Sequence, residues 1–162
     1  MPRGRRRDIA LGLTTFGLAL LCLATGCVSM DTPCGFVELP ASRSEFKAVT
    51  PDNALVWVRR FEDEAAGEAA FWVETLRNEF VGNRGYTLLA EQATTAGART
   101  GTEFRFETTT LGEPYRYLVM VFTEPDWGGT DILVLEYTAT AKVFDEHVDD
   151  VRKAAETLRT RW

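Results

Sequence analysis

The sequence predicts an α+β domain, an α/β/α sandwich with two main helices around a mainly antiparallel sheet. Three observations predict it. Residues 115–123 (YRYLVMVFT) and 131–137 (DILVLEY) are apolar on both alternating faces, and strands of that kind need cover on both sides of their sheet. Short turn sequences separate the later strand candidates, which favours antiparallel hairpins. Two amphipathic helices, one before these strands and one after, are available as the two covers.

Residues 54–61 (ALVWVRRF) are rich in β-branched and aromatic side chains and follow the turn signal Pro51-Asp52-Asn53. They predict the first strand. Residues 64–81 predict a helix, because Trp72, Leu76 and Phe80 recur at i, i+4 and i+8 with Ala69 and Val73 alongside. The acidic run Glu62-Asp63-Glu64 suits its N-terminal dipole, and Gly82 and Gly85 supply a stop. Residues 86–92 (YTLLAEQ) predict a second strand, and 94–101 a flexible turn region. In 103–110 (EFRFETTT), Phe104 and Phe106 alternate with Arg105 and Glu107. Turns at Gly112-Glu113-Pro114 and at 126–129 then arrange the remaining strands as a meander. The last helix is expected over 141–160. Phe144, Val148, Val151, Ala155 and Leu158 form its stripe, which Trp162 would extend. Thr140 is its expected N-cap. Asp145 and Glu146 come early and Arg152, Lys153 and Arg159 late, in the order the dipole favours.

The N-terminus carries a targeting signal. Residues 2–7 are Pro-Arg-Gly-Arg-Arg-Arg, and 9–26 contain no charge. A basic start, an apolar stretch and small residues at a boundary make a secretory signal peptide. An uncleaved membrane anchor is the alternative, at the short edge of what spans a bilayer. Arg6-Arg7 lacks the rest of a twin-arginine pattern, which leaves general secretion. The boundary Ala24-Thr25-Gly26-Cys27 resembles a bacterial lipobox, with Ala24 where leucine is commoner. The resemblance implies cleavage between Gly26 and Cys27 and lipid on the Cys27 thiol. Several acyl chains hold persistently where one is marginal.

Three domains of the sequence follow: signal peptide 1–26, lipidated N-terminus and tether 27–50, and one α+β domain 51–162. Residues 28–50 mix Pro, Ser, Thr and Gly with few apolar positions, and packing is expected to begin near Phe46. Cleavage removes Arg3, Arg5, Arg6, Arg7 and Asp8, leaving a mature charge of about −9 from a formal −6. A chain so acidic is not expected to bind nucleic acid, and on its tether it should stand off an anionic membrane. Cys22 leaves with the signal and Cys27 takes lipid, so Cys34 has no intramolecular partner.

The element order also resembles the PsbP/DcrB-like (Mog-type) fold. The shared features are an early strand, a helix with an aromatic-rich face (Phe71-Trp72-Val73-Glu74-Thr75-Leu76), a strand after a Gly turn, a meander and a closing helix. The resemblance covers about residues 46–162. It implies an assembly or binding module, with bacterial lipoproteins among its members, and assigns no functional residue.

Few residues suggest chemistry. His147 is the single histidine, so any Ser-His-Asp or Cys-His arrangement depends on it. Its place beside Phe144 suggests a boundary position. Asp145 and Asp149 share a helix face and could offer oxygen to Ca²⁺, but no metal-binding loop accompanies them. They are read as a solvated acidic face, like Glu62, Asp63, Glu64 and Glu68. Gly82-Asn83-Arg84-Gly85 matches the G-x-x-G of nucleic-acid loops, yet a helix C-cap explains both glycines. Trp57, Trp72, Tyr86, Tyr115 and Tyr117 are expected in the core. Trp127, in the loop Pro125-Asp126-Trp127-Gly128-Gly129, is the candidate partner contact.

The expected function is a non-catalytic, membrane-anchored envelope lipoprotein acting as an interaction or assembly module, with an envelope protein as partner. No cofactor or metal is expected. A small-molecule or lipid-binding pocket between sheet and helix is the alternative, and an enzyme built on His147 the third reading. Val28 after Cys27, where Asp would favour the inner membrane in some bacteria, points to the outer membrane facing the periplasm, with the inner membrane or the cell surface as other destinations.

Overall fold

The computed structural model describes residues 27–63, 68–126 and 129–161. The chain runs β1 (Cys27–Ser29), β2 (Val37–Leu39), β3 (Glu45–Val49), β4 (Leu55–Asp63), α1 (Ala69–Asn78), β5 (Thr87–Ala96), β6 (Arg99–Thr110), β7 (Glu113–Asp126), β8 (Gly129–Thr140), α2 (Ala141–Ala155) and β9 (Arg159–Arg161). Strands β2 to β8 form one antiparallel sheet in the order β2-β3-β4-β8-β7-β6-β5, and β1 pairs with β9 in a separate ribbon. The predicted meander is β5 to β8. Strand β4 skips its sequence neighbour and pairs with β8, from Leu55 opposite Thr138 to Asp63 opposite Thr130.

Alternation along these strands makes two cores, one on each face. Val56, Val58, Leu118, Met120, Phe122, Leu133, Leu135 and Tyr137 pack under Phe144, Val151, Ala155 and Leu158 from α2 and the turn beyond it. On the other face, Phe104, Phe106, Val119, Val121, Ile132 and Val134 meet Phe80, with Trp72, Val73 and Leu76 of α1 packed against them. This is the expected α/β/α arrangement. The two covers differ in depth, since α2 buries Phe144, Val151, Ala154 and Ala155 whereas α1 buries no residue completely.

The segment expected to be a tether is part of the fold. Residues 28–50 supply β1 from Val28, β2 and β3, and Val28, Met30, Phe36, Phe46 and Ala48 lie in the α2-side core. Widely spaced apolar residues among Pro, Ser and Gly lack a helical or strand period, yet each fills a separate gap at the sheet margin. The turn region expected over 94–101 is also strand. Ala96 pairs with Arg99, leaving Gly97-Ala98 as the turn. Gly101 is required inside β6, because a Cβ there would come within 2.1 Å of the Val121 carbonyl oxygen.

Both helices are shorter than expected. Glu62 and Asp63 end β4 instead of starting α1, and Glu68 occupies the N-cap without a side-chain bond. At its far end α1 widens into a π-helical turn, Glu79–Asn83, closed by the Arg84 N–H donating to the Glu79 carbonyl at 3.0 Å. Thr140 sits at the N-cap of α2 but makes no capping bond. Helix α2 stops at Ala155 because Thr157 folds back, its hydroxyl donating to the Ala154 carbonyl at 2.7 Å. Its backbone N–H donates to the same oxygen at 2.9 Å. The chain beyond then pairs with β1.

Two predictions follow from strained or buried groups. Leu111 and Gly112 join β6 to β7 with positive φ, +53° and +83°, and Leu111 is fully exposed. A left-handed conformation favours Asn over Leu at the first central position of such a turn. Leu111→Asn is expected to stabilise the protein by about 1 kcal/mol in denaturant titration. Arg60 and Asp131 are buried against each other, with Nε–Oδ2 at 2.9 Å and Nη2–Oδ1 at 3.0 Å. Asp131→Ala should cost roughly 3 kcal/mol by removing the buried carboxylate that accepts two Arg60 bonds, and the paired Arg60→Met/Asp131→Leu variant should recover most of it.

Candidate functional site

Strand register places several chain segments at one end of the sheet. Strand β3 begins there, β4 ends there, and the β7–β8 hairpin turns there, with Glu45 opposite Arg59, Asp63 opposite Thr130 and Asp126 opposite Gly129. The β1–β9 ribbon lies across this end. The Val28 N–H donates to the Arg43 carbonyl at 2.8 Å. On the other flank the Arg99 guanidinium donates to the Leu158 carbonyl at 2.6 Å and the Thr160 hydroxyl at 3.1 Å. Cys27 opens the ribbon. Its side chain is exposed, Val28 beside it is buried, and register sets Arg161 opposite it. Gly26 and Trp127 lie outside the described residues, as do the signal segment and Trp162. The residues flanking Trp127 and Gly128, Asp126 and Gly129, are paired at the Cys27 end.

His147 is half-buried on α2, as its boundary position suggested. The ring of Phe36 stands edge-on to it at 5.4 Å, and Gly35 leaves room for it, since a Cβ there would approach its Cε1 to 3.2 Å. The fold brings Asp52, from the β3–β4 turn, to Glu146 and His147, with one potential ligand atom from each within 4.8 Å of the others. Sequence spacing could not reveal this triad, because Asp52 comes from a distant turn. Thr50 shapes that turn. Its hydroxyl accepts the Ala54 N–H at 3.0 Å, and its bond to Asp52 is the main reason that carboxyl titrates below its usual value. One imidazole and two carboxylates could hold a divalent cation with nitrogen and oxygen donors. The triad contains no hydroxyl or thiol to act as a nucleophile.

Four other carboxylates considered for cations are already engaged by side chains, while Glu64 lies outside the described residues. Asp145 accepts two bonds from Arg116 Nη1, at 2.6 and 2.7 Å, and Asp149 accepts one from Arg152 at 3.1 Å. Glu62 lies 3.2 Å from Arg60, and Asp63 accepts the Trp72 indole N–H at 3.2 Å. Glu103, which no motif marked, is buried on the α2 side and held by Arg152 at 2.6 and 3.1 Å and by Gln92 at 3.1 Å. Gly82 lies inside the π-helical turn, where Glu79 accepts bonds from Asn83 and Arg84. Gly85, at φ +70°, follows the C-cap Arg84, so of the two glycines expected to stop the helix only Gly85 stands at its end.

Trp72, Tyr86 and Tyr117 pack against the α1-side core as expected. Trp57 does not. It stands on β4 beyond the reach of α1, with Lys47 Nζ and Arg59 Cζ each 4.2 Å from its ring centroid and Phe61 of the same face 44% exposed. Arg59 also pairs with Glu136. Strand alternation marked Trp57 as inward, but α1 covers only part of that face. Leu111 is a second surface residue the sequence did not single out.

Two depressions lie along α2. One, of about 240 Å³, sits between α2 and the outer strands and is lined by Leu89, Arg105, Phe106, Arg116, Phe144 and Asp145. The other, of about 230 Å³, is bordered by Pro33, Cys34, Asp150, Lys153 and Thr157. Cys34 is exposed as a free thiol on its rim.

No family model matches the chain, and no curated protein matches it. Solved structures do. The chain is similar to LpqN of Mycobacterium tuberculosis, described as involved in cell envelope biogenesis, at 14% identity and TM-score 0.70 over 86% of each chain. It is similar to the Ran-binding protein Mog1p of Saccharomyces cerevisiae, at 10% identity and TM-score 0.54 over 82% of this chain and 89% of that one. A Pseudomonas aeruginosa protein of unknown function matches at 15% identity and TM-score 0.55, over 86% and 85%. At these identities the likeness is one of fold: two helices on a mainly antiparallel sheet, in the Mog-like arrangement that the element order resembled.

Proposed function

We propose that the protein is a non-catalytic envelope lipoprotein, held to a membrane by lipid on Cys27 and acting as an interaction or assembly module. The observation that carries this reading is the boundary Ala24-Thr25-Gly26-Cys27 behind a basic and then apolar N-terminus. The exposed position of Cys27 at the start of the folded region is compatible with a lipid there. Among the described residues no helix is long and apolar enough to cross a membrane. The structural likeness to an envelope-biogenesis protein supports an envelope setting, and the residue Val28 after Cys27 favours the outer membrane facing the periplasm. The His147 triad supplies no nucleophile, which weighs against an acyl-transfer enzyme.

The module reading assigns the partner contact to Trp127, whose hairpin flanks pair at the Cys27 end. A contact there would meet a partner at the membrane. The depression between α2 and the outer strands favours a second reading, a small-molecule or lipid-binding module. Its volume of about 240 Å³ falls below the roughly 300–1,000 Å³ usual for ligand pockets, so the interaction module is preferred.

In-cell cross-linking and affinity capture of the full chain, beside Cys27→Ala, tests the reading. The expected result is one reproducible protein partner whose binding Trp127→Ala weakens by about 2 kcal/mol, roughly thirtyfold. Finding no partner with either protein would reject the module and turn attention to bound lipid.

A further inference from the structure

Three side chains from two distant stretches of chain converge beside α2. Asp52 comes from the β3–β4 turn, Glu146 and His147 from the helix, and one potential ligand atom from each lies within 4.8 Å of the others. The imidazole is what separates this group from a solvated acidic face. His147 is half-buried, and its ring is seated by Phe36, edge-on at 5.4 Å, and by Gly35, where a Cβ would come within 3.2 Å of Cε1. Its orientation is therefore set by the fold before any ligand arrives. Among the described residues it makes no hydrogen bond and no ion pair, so its lone-pair nitrogen is not already committed. Asp52 is placed with similar firmness, because Thr50 and Ala54 on either side of it are buried. An ion held there acts on the backbone of the turn, not on a loose side chain.

The two carboxylates are held lightly. Asp52 is bonded to Thr50, which leaves its second oxygen for another partner. Glu146 meets Lys142 at 3.9 Å, across an i, i+4 pair whose lysine is 88% exposed, and such surface pairs contribute little. The charge of Lys142 also acts on Asp52. Two carboxylates against one ammonium still leave the group net negative beside a neutral imidazole. The other helix acids are placed elsewhere. Asp145 is bound by Arg116 and Asp149 by Arg152, and Asp150 borders the Cys34 depression.

The donor set selects the kind of ion. Ca²⁺ and Mg²⁺ are held by larger sets of oxygen ligands, which one imidazole and two carboxylates do not match. Zn²⁺ combines imidazole nitrogen with carboxylate oxygen and completes a tetrahedron with water. Its bonds of about 2.0–2.2 Å put ligand atoms roughly 3.4 Å apart, so the exposed carboxylates need swing inward by little more than about 1 Å. We propose that Asp52, Glu146 and His147 bind a divalent transition-metal ion of the Zn²⁺ type, which clips the β3–β4 turn to α2. Binding there does not depend on whether Cys27 carries lipid.

The test is calorimetric titration of Zn²⁺ into the full chain in detergent, without a histidine tag. Cys22→Ser, Cys27→Ser and Cys34→Ser are included, so that thiolates cannot supply the ligands. The expected result is one ion per chain, an unfolding midpoint that rises with Zn²⁺ and slowed hydrogen exchange in the β3–β4 turn. His147→Ala, Asp52→Asn and Glu146→Gln should each weaken binding by more than the roughly tenfold lost when a group merely supporting a ligand is removed. Their unfolding midpoints in chelator should stay unchanged. Lys142→Gln should tighten binding by removing the competing ammonium, and Asp149→Asn should leave it as it was. Binding that survives His147→Ala would assign the ion to surface carboxylates, and binding that survives Asp52→Asn would leave α2 alone holding it. Either result overturns the proposal, as does a titration with neither heat nor a shifted midpoint. Ca²⁺ binding as tightly as Zn²⁺ would overturn the transition-metal assignment.

Discussion

The pairing of β4 with β8 holds the molecule together. It is the one seam between the N-terminal strands β2–β4 and the meander β5–β8. Along it Val58 lies opposite Leu135 and Val56 opposite Tyr137, so the α2-side core is continuous only while the seam is closed. Charged pairs reinforce both faces. Arg60 and Asp131 lock across it on the α2 side, and Arg59 meets Glu136 on the other. Forming it closes a long loop through α1 and three strands, so its entropic cost comes before its contacts are made. The β1 end depends on it as well. Once β4 is seated, β3 pairs with it, the Arg43 carbonyl is positioned, and β1 has an acceptor for Val28.

What could be read from the sequence was what periodicity encodes. The two-faced apolar runs of β7 and β8 and the stripe of α2 identified the central layers, because each such pattern has few structural solutions. The edges escaped for physical reasons. Strand β2 has all three residues exposed and is held by its backbone, which leaves no mark in side-chain pattern. In residues 28–50 the buried Val28, Met30, Phe36 and Phe46 are too widely spaced to form a face. Thr157 ended α2 through a bond to its own helix, a competition that Thr propensity alone does not decide.

The candidate site was legible in the same uneven way. The proposed role of Cys27 rests on a linear targeting pattern, which needs no fold to be read. The meeting of Asp52 with Glu146 and His147 was invisible, since it depends on the β3–β4 turn reaching α2. Trp57 was misplaced because alternation tells which face a residue takes, not whether a helix covers that part of it. Cations fill the space over its ring instead.

On the proposed lipid-anchor reading, the pairing of β1 separates the two ends by function as well as by position. Strand β7 is fourteen residues long, which sets the ends roughly 45 Å apart. A protein on a flexible tether samples all orientations, whereas one held through a paired strand residue, as proposed for Cys27, presents a fixed end to water. Here that end carries the β6–β7 turn, where Leu111 is both exposed and left-handed although asparagine would relieve the strain. The same end holds Asp52 on the β3–β4 turn. A partner engaging the β7–β8 hairpin would have to sit at the bilayer surface, while one engaging Leu111 would approach from the aqueous side. The distinction follows from β1 being built into the fold, and it would vanish if residues 28–50 were free chain.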